Sequence, residues 1–181
     1  MPHSSLSPET HGPEAVLREM RDRAREMFDR ALLECSIPHA FSRQLLYDGE
    51  HLRIGKDLYN MGSFERVLVA SIGKAAHTMA DALSNILGTG LTGVIACPNA
   101  PPAQLFGFHY FIGGHPMPNQ DSLRAGEAIL RLVAGSSQRT LALFLISGGA
   151  SAIAEKPIND AISSTLWLAA SSLLRSGVSI P

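Results

Sequence analysis

The sequence predicts an α/β fold with a mostly parallel sheet and helices on both faces. Three observations predict it. Apolar runs of strand length, rich in Val, Leu, Ile and Phe, stand at Arg66–Ile72, Leu91–Cys97, Phe106–Ile112 and Thr140–Ile146. Segments with helical apolar spacing alternate with them, as in βαβ units. Two of the runs pass directly into glycine-bearing turns, at Gly73-Lys74 and Ser147-Gly148-Gly149, the position where open α/β sheets carry ligand loops.

Each element has its own justification. Met1–Pro13 is polar, holds three prolines, and lacks a basic n-region and an apolar h-region, so it reads as a disordered tail and not a targeting segment. Glu14–Cys35 reads as a helix: Leu17, Met20, Ala24, Met27, Phe28, Ala31 and Leu32 repeat at three- and four-residue steps, and Pro13 suits the start. Its other face (Arg18, Glu19, Arg21, Asp22, Arg25, Glu26) interleaves acids with bases and reads as a solvated surface. Pro38 stops this helix, and Phe41–Tyr47 suggests a short helical turn. His51–Ile54 and Asp57–Asn60, split by Gly55-Lys56, suggest a β-hairpin.

Arg66–Ile72 reads as a buried strand, Gly73 as a sharp turn, and Lys74 as the start of a helix with Ala75, Met79 and Ala82 near one face. Leu87-Gly88-Thr89-Gly90 ends it. Leu91–Cys97 is the next strand, and Pro98–Pro102 must be a loop. Phe106–Ile112 leads into Gly113–Gln120, which is dense in turn formers, and then into a helix over Asp121–Ala134 capped by Asn119 or Asp121. Leu123, Ala128, Ile129, Leu132 and Val133 form its expected buried stripe. Thr140–Ile146, the most apolar run, is expected as the central strand, buried on both faces. A last helix is expected over Asp160–Ser176, with Trp167 in the core and Gly177 as its cap.

Composition narrows the function classes. The chain has 181 residues, 45% hydrophobic and 17% charged, enough for one real core. A net charge of -1 gives no support for nucleic acid or an anionic membrane as partner, and no apolar run reaches transmembrane length. Cys35 and Cys97 stand far apart in no metal-ligand spacing, so no metal ligands are expected. They read as reduced thiols of a cytoplasmic protein.

Two turns carry candidate chemistry. A cation in a first helical turn opposes the helix dipole at roughly 0.3–1 kcal/mol. A bound anion would remove that conflict at Lys74, whereas a solvated lysine would have it screened. In Ser147-Gly148-Gly149-Ala150-Ser151 the glycines allow backbone N–H groups to close on a phosphate or carboxylate, and the serines add hydroxyls. A structural turn would need only one glycine. The stretch is not a Walker A motif, nor G-x-G-x-x-G, nor G-x-S-x-G. His115, in Gly113-Gly114-His115-Pro116, is a candidate ligand-contacting or acid–base side chain, or a loop histidine held by local hydrogen bonds.

Three stretches in this order carry a family resemblance: Ser71-Ile72-Gly73-Lys74-Ala75-Ala76 with Met79-Ala80; Gly113-Gly114-His115-Pro116 with Pro118; and Leu145-Ile146-Ser147-Gly148-Gly149 with Ser151-Ala152. Together they resemble the glycerate 2-kinases, the MOFRL-associated type II glycerate kinases, across roughly Glu14 to Pro181. The tail Leu173–Ile180 also looks like the family's segment before its next active-site stretch. The resemblance implies an N-terminal Rossmann-like three-layer sandwich over 14–181, and ATP- and Mg²⁺-dependent phosphorylation of D-glycerate to 2-phosphoglycerate. It places Lys74 as the active-site lysine; Ser147, Gly148, Gly149 and Ser151 in the glycine-rich loop; Gly73 in the lysine turn; and Gly114, His115 and Pro116 in the G-H-P turn. Ala150 departs from the family's third glycine and would be strained if that position needed φ > 0. The family's second domain lies beyond Pro181, so turnover is expected to need a longer reading frame or a partner chain. The alternative expectation is a truncated product or non-catalytic Rossmann-like module that holds a phosphate- or carboxylate-bearing ligand. NAD-linked oxidoreduction is the weaker reading, because no dinucleotide fingerprint follows any strand.

Overall fold

The computed structural model of the chain describes residues 12–88 and 90–157. The helix expected over Asp160–Ser176, with Trp167 and Gly177, lies outside them. The chain divides into two compact units, Met1–Ala40 and Phe41–Pro181.

In the first unit, helix α1 spans Pro13–Glu34, with Pro13 in its first turn and Cys35 as C-cap. Its apolar stripe is exposed: α1 buries no residue, and Met27 is 73% exposed. Pro38 does not act as a terminator. It stands in the first turn of a second helix, α2 (Ile37–Gln44), where its missing N–H has no partner to lose.

The second unit holds two sheets. The smaller one is antiparallel, in order β1-β2-β3, from β1 (Leu45–Tyr47), β2 (His51–Ile54) and β3 (Asp57–Asn60). The hairpin stands as expected, with Ile54 opposite Asp57 across Gly55-Lys56. Its third strand corrects the expected turn at Phe41–Tyr47. That segment is helical only to Gln44 and then pairs with β2, Tyr47 opposite Leu52. Phe41 and Leu45 pack on Val69, Leu83 and Leu91, which ties the small sheet to the large one.

The larger sheet is fully parallel, in order β6-β5-β4-β7, from β4 (Arg66–Ile72), β5 (Thr92–Cys97), β6 (Phe108–Ile112) and β7 (Thr140–Ile146). Helix α3 (Ala76–Leu87) joins β4 to β5, and α4 (Gln120–Ala134) joins β6 to β7. Val69, Ile95 and Cys97 belong to the core that includes Ala76, Ala80 and Leu83 of α3. Their neighbours Ala70, Val94 and Ala96 belong to the core that includes Ala125 and Ile129 of α4. This two-face alternation is why β4 and β5 read as unbroken apolar runs. The result is a Rossmann-like α/β layer structure.

Two expectations need correction. Strand β7 is not central: it is the outer strand of the described sheet, paired only with β4. Leu141, Leu143 and Leu145 turn inward, while Phe144 and Ile146 are exposed at 49% and 66%. Hydrophobicity sets how willing a run is to be buried, not how many neighbours it has. The buried face of α4 is Ser122, Ala125, Gly126 and Ile129, with Val133 exposed. Small residues bring that helix close to the sheet, and a search for large apolar side chains passes over them.

Candidate functional site

Strand order decides where a ligand site can form. From β4 the chain steps outward through β5 and β6, then returns to place β7 on the other side of β4. The turns that leave β4 and β7 therefore stand side by side at neighbouring strand ends, the switch point where doubly wound sheets bind ligands. Those turns are Gly73–Ala75 and Ser147–Gly149.

The two turns are tied together. The Lys74 N–H donates to Gly148 O at 3.0 Å, and the Ala75 N–H donates to Ser147 Oγ at 3.0 Å. The Ser147 N–H donates to Ile72 O at 2.9 Å, and its hydroxyl faces the same oxygen at 3.4 Å. Gly73 is buried with φ +118, and a Cβ there would fall 2.6 Å from Ser147 O. Only glycine accepts both the backbone and the approach. Lys74 stands just before N-cap Ala75, not within the first helical turn, and its side chain is exposed.

The third turn joins from β6. His115 is exposed, and its ring lies over Gly149, where a Cβ would come within 2.6 Å of Cδ2 and 2.9 Å of Nε2. The His115-Pro116 peptide is cis. Helix α4 holds this turn through a capping box. Asn119 Oδ1 accepts from the Ser122 N–H at 2.9 Å, and Ser122 Oγ accepts from the N–H groups of Asn119 and Gly114 at 3.1 and 3.0 Å. Asn119 Nδ2 also donates to Ile112 O at 3.0 Å. Asn119→Ala is accordingly expected to cost about 1–2 kcal/mol, a fall of roughly 2–8 °C in Tm for a chain of this size. Thermal denaturation followed by circular dichroism checks it, and an unchanged Tm would rule out the cap as a stabilising contact.

These turns frame an open cleft of about 560 Å³ lined by Lys74, Pro98, Asn99, Gly114, His115 and Asn119. Among the described residues its wall carries one ammonium group, one imidazole, two carboxamides and no carboxylate, a set suited to an anion. Gly148 and Gly149 back this wall through their contacts with Lys74 and His115. Among the described residues nothing accepts from their N–H groups. Ser151 is exposed on α5 (Ala150–Ile153). The left-handed residue of the loop is Gly149, φ 84. Among the described residues no non-glycine has positive φ, so Ala150 carries no strain.

Asn99 is the cleft residue that the motifs passed over. The only signal was its place just past the carboxyl end of β5. Cys97, buried and with its thiol pushed up by burial, fixes that loop by donating to Asn99 O at 3.2 Å. Tyr110 braces the neighbouring segment. Its hydroxyl, pushed up chiefly by burial, meets His77 Nδ1 at 2.9 Å and accepts from the Leu105 N–H at 3.1 Å.

Known proteins resemble this chain in sequence and in fold. A D-glycerate 2-kinase of Thermotoga maritima is 31% identical over 120 residues, 65% of this chain and 29% of its own. A glycerate 2-kinase of Pyrococcus horikoshii is 31% identical over 115 residues, 64% of this chain and 26% of its own. A solved structure of a Pyrococcus horikoshii protein superposes with a TM-score of 0.76 at 24% identity, over 88% of this chain and 36% of that one, a likeness of fold. This chain thus spans under a third of the length of those two kinases. The resemblance drawn from the three motifs, to the N-terminal portion of glycerate 2-kinases, is borne out. The family model described as "Domain of unknown function (DUF4147)" matches residues 23–181, and the chain belongs to that family.

Proposed function

We propose that this chain supplies the Lys74 wall of a site for ATP-dependent phosphorylation of D-glycerate to 2-phosphoglycerate, as the N-terminal part of a glycerate 2-kinase. One observation carries the reading. Three turns distant in sequence, around Lys74, His115 and Ser147, meet at the carboxyl ends of parallel strands and leave the Lys74 ammonium group on the cleft wall. Phosphoryl transfer asks a protein mainly to position its reactants and to cancel charge. Lys74 would neutralise a carboxylate or phosphoryl oxygen. Asn99 and Asn119 would donate to substrate oxygens, and His115 would orient a hydroxyl or accept its proton.

The wall does not by itself form a Mg²⁺ site. Among the described residues it has no carboxylate, and no three His, Cys, Asp or Glu side chains gather as a metal-binding group. Magnesium takes carboxylate and phosphate oxygens, so its protein ligands would come from outside this wall. No described helix is long and apolar enough to cross a membrane.

The test is glycerate phosphorylation by a form extended with the segments its relatives carry, followed through ADP release. ATP- and glycerate-dependent turnover is expected, and a well-folded extended protein without turnover would remove the kinase reading. The partial span of the relatives also keeps a second reading in play, a module that binds without turnover. It predicts saturable calorimetric binding of glycerate to the 181-residue chain, and a flat titration would count against it.

A further inference from the structure

We infer that Ser147 is a positioning residue for Lys74 and not a ligand contact: its hydroxyl latches the lysine turn to the glycine loop and so sets where the ammonium group reaches. The inference rests on the reading of Lys74 as the cation that meets the anionic ligand.

A serine hydroxyl has one proton and two lone pairs. Here one lone pair takes the Ala75 N–H, and the proton faces Ile72 O. The two partners bracket the turn that leaves β4, Ile72 as the last residue of the strand and Ala75 as the helix N-cap, more than seventy residues earlier in the chain. Ala75 is the N-cap of α3, and no side chain of α3 caps it. In a capping box the N-cap N–H is satisfied by a side chain three residues on. At α3 that service comes from Ser147, on the turn after β7. The preceding N–H, of Lys74 itself, goes to Gly148 O. Two successive peptide groups flanking the lysine side chain are therefore held by the neighbouring loop. Gly73 leaves room for this, since any Cβ would strike Ser147.

Among the described residues the lysine side chain has no partner of its own: Lys74 makes no ion pair and stands exposed on the cleft. The path of its backbone is then the main determinant of where its ammonium group lies. The Ala75 N–H at 3.0 Å takes the acceptor side of the hydroxyl and Ile72 O, at a long 3.4 Å, faces its donor side, so a ligand would compete with protein partners for it. Its remaining lone pair would only accept, which suits neither a phosphate nor a carboxylate oxygen.

The 181-residue chain carries three lysines, Lys56, Lys74 and Lys156, few enough for reductive ¹³C-methylation to give separate NMR signals. Inorganic phosphate is the probe, and amide hydrogen exchange is read in parallel. Ser147→Ala is expected to speed exchange at Ala75 about five- to tenfold, the worth of one net hydrogen bond. Protection at Val69 and Ile95 should be unchanged, the Lys74 signal should move without ligand, and phosphate affinity at that signal should weaken. Ser147→Thr, which keeps a hydroxyl, is expected to restore the parent values. Weakened phosphate affinity with Ala75 protection intact would make the hydroxyl a direct ligand contact and overturn the inference. Faster exchange at Ala75 with an unmoved Lys74 signal would overturn it too. If the parent Lys74 signal ignores phosphate, the anion reading of the cleft fails, and the ligand-free shift and exchange still decide the latch.

Discussion

Lys74→Ala, in a form extended to turn over glycerate, is expected to lower kcat/KM about 10²–10³-fold. That is the loss seen when one preorganised charge-stabilising group is removed, roughly 2.7–4 kcal/mol of transition-state stabilisation. The size follows from isolation: among the described residues Lys74 is the sole lysine or arginine on the cleft wall, and no carboxylate there offsets its charge. Lys74→Arg should recover only part of the rate, because a planar guanidinium cannot place a point charge where the ammonium stood. Stability should hardly change, since the side chain is exposed and outside the core. The measurement is steady-state kinetics beside a thermal melt. Turnover equal to the parent's would take Lys74 out of the chemistry, and an equal loss of Tm would recast it as structural.

That lysine was legible in the sequence because strand, glycine and helix follow one another at Arg66–Leu87, and local order is what hydrophobic period and turn chemistry record. The same holds for the strands β4 and β7, whose bounds match the apolar runs, and for the hairpin at Gly55-Lys56. What sequence does not record is which strands lie side by side. Thr140–Ile146 looked central because it is the most apolar run, yet among the described residues it pairs on one side only. Its alternation of inward Leu141, Leu143 and Leu145 with outward Ala142, Phe144 and Ile146 is hidden when all of those residues are apolar. The strand Leu45–Tyr47 was missed for a related reason: three residues are too few to show a period of two.

At the site, residue types were legible and their partners were not. Ser147 was read as a hydroxyl for a ligand. Its observed partners are Ala75 and Ile72, contacts that exist only because β4 and β7 are neighbours. His115 and Gly149 are likewise strangers in sequence until the fold sets an imidazole where a Cβ would be. Asn99 carried no motif at all and enters the cleft through the end of its strand.

Gly126→Ala should destabilise the chain, against the ordinary sign of the change. In the middle of a helix, alanine normally stabilises relative to glycine by about 0.5–1 kcal/mol, through backbone entropy. Gly126 is inside α4 and buried, and a Cβ there would run into the carbonyl of Glu155, 2.6 Å from its carbon. The obstacle is backbone, held by the Glu155 N–H bond to Ser122 O at 3.1 Å, so no side-chain rotation relieves it. Overpacking of this kind costs about 1–3 kcal/mol, which exceeds the propensity gain over most of that range and lowers Tm by several degrees. A rise in Tm would show that the 153–155 segment gives way without cost. The same segment meets Gly113, where a Cβ would fall 2.9 Å from the Ile153 Cα. Pushing it off α4 therefore also disturbs the turn that carries His115. Phosphate affinity at Lys74 should fall less than stability does, because the Lys74 turn is fixed from β7 and not from α4.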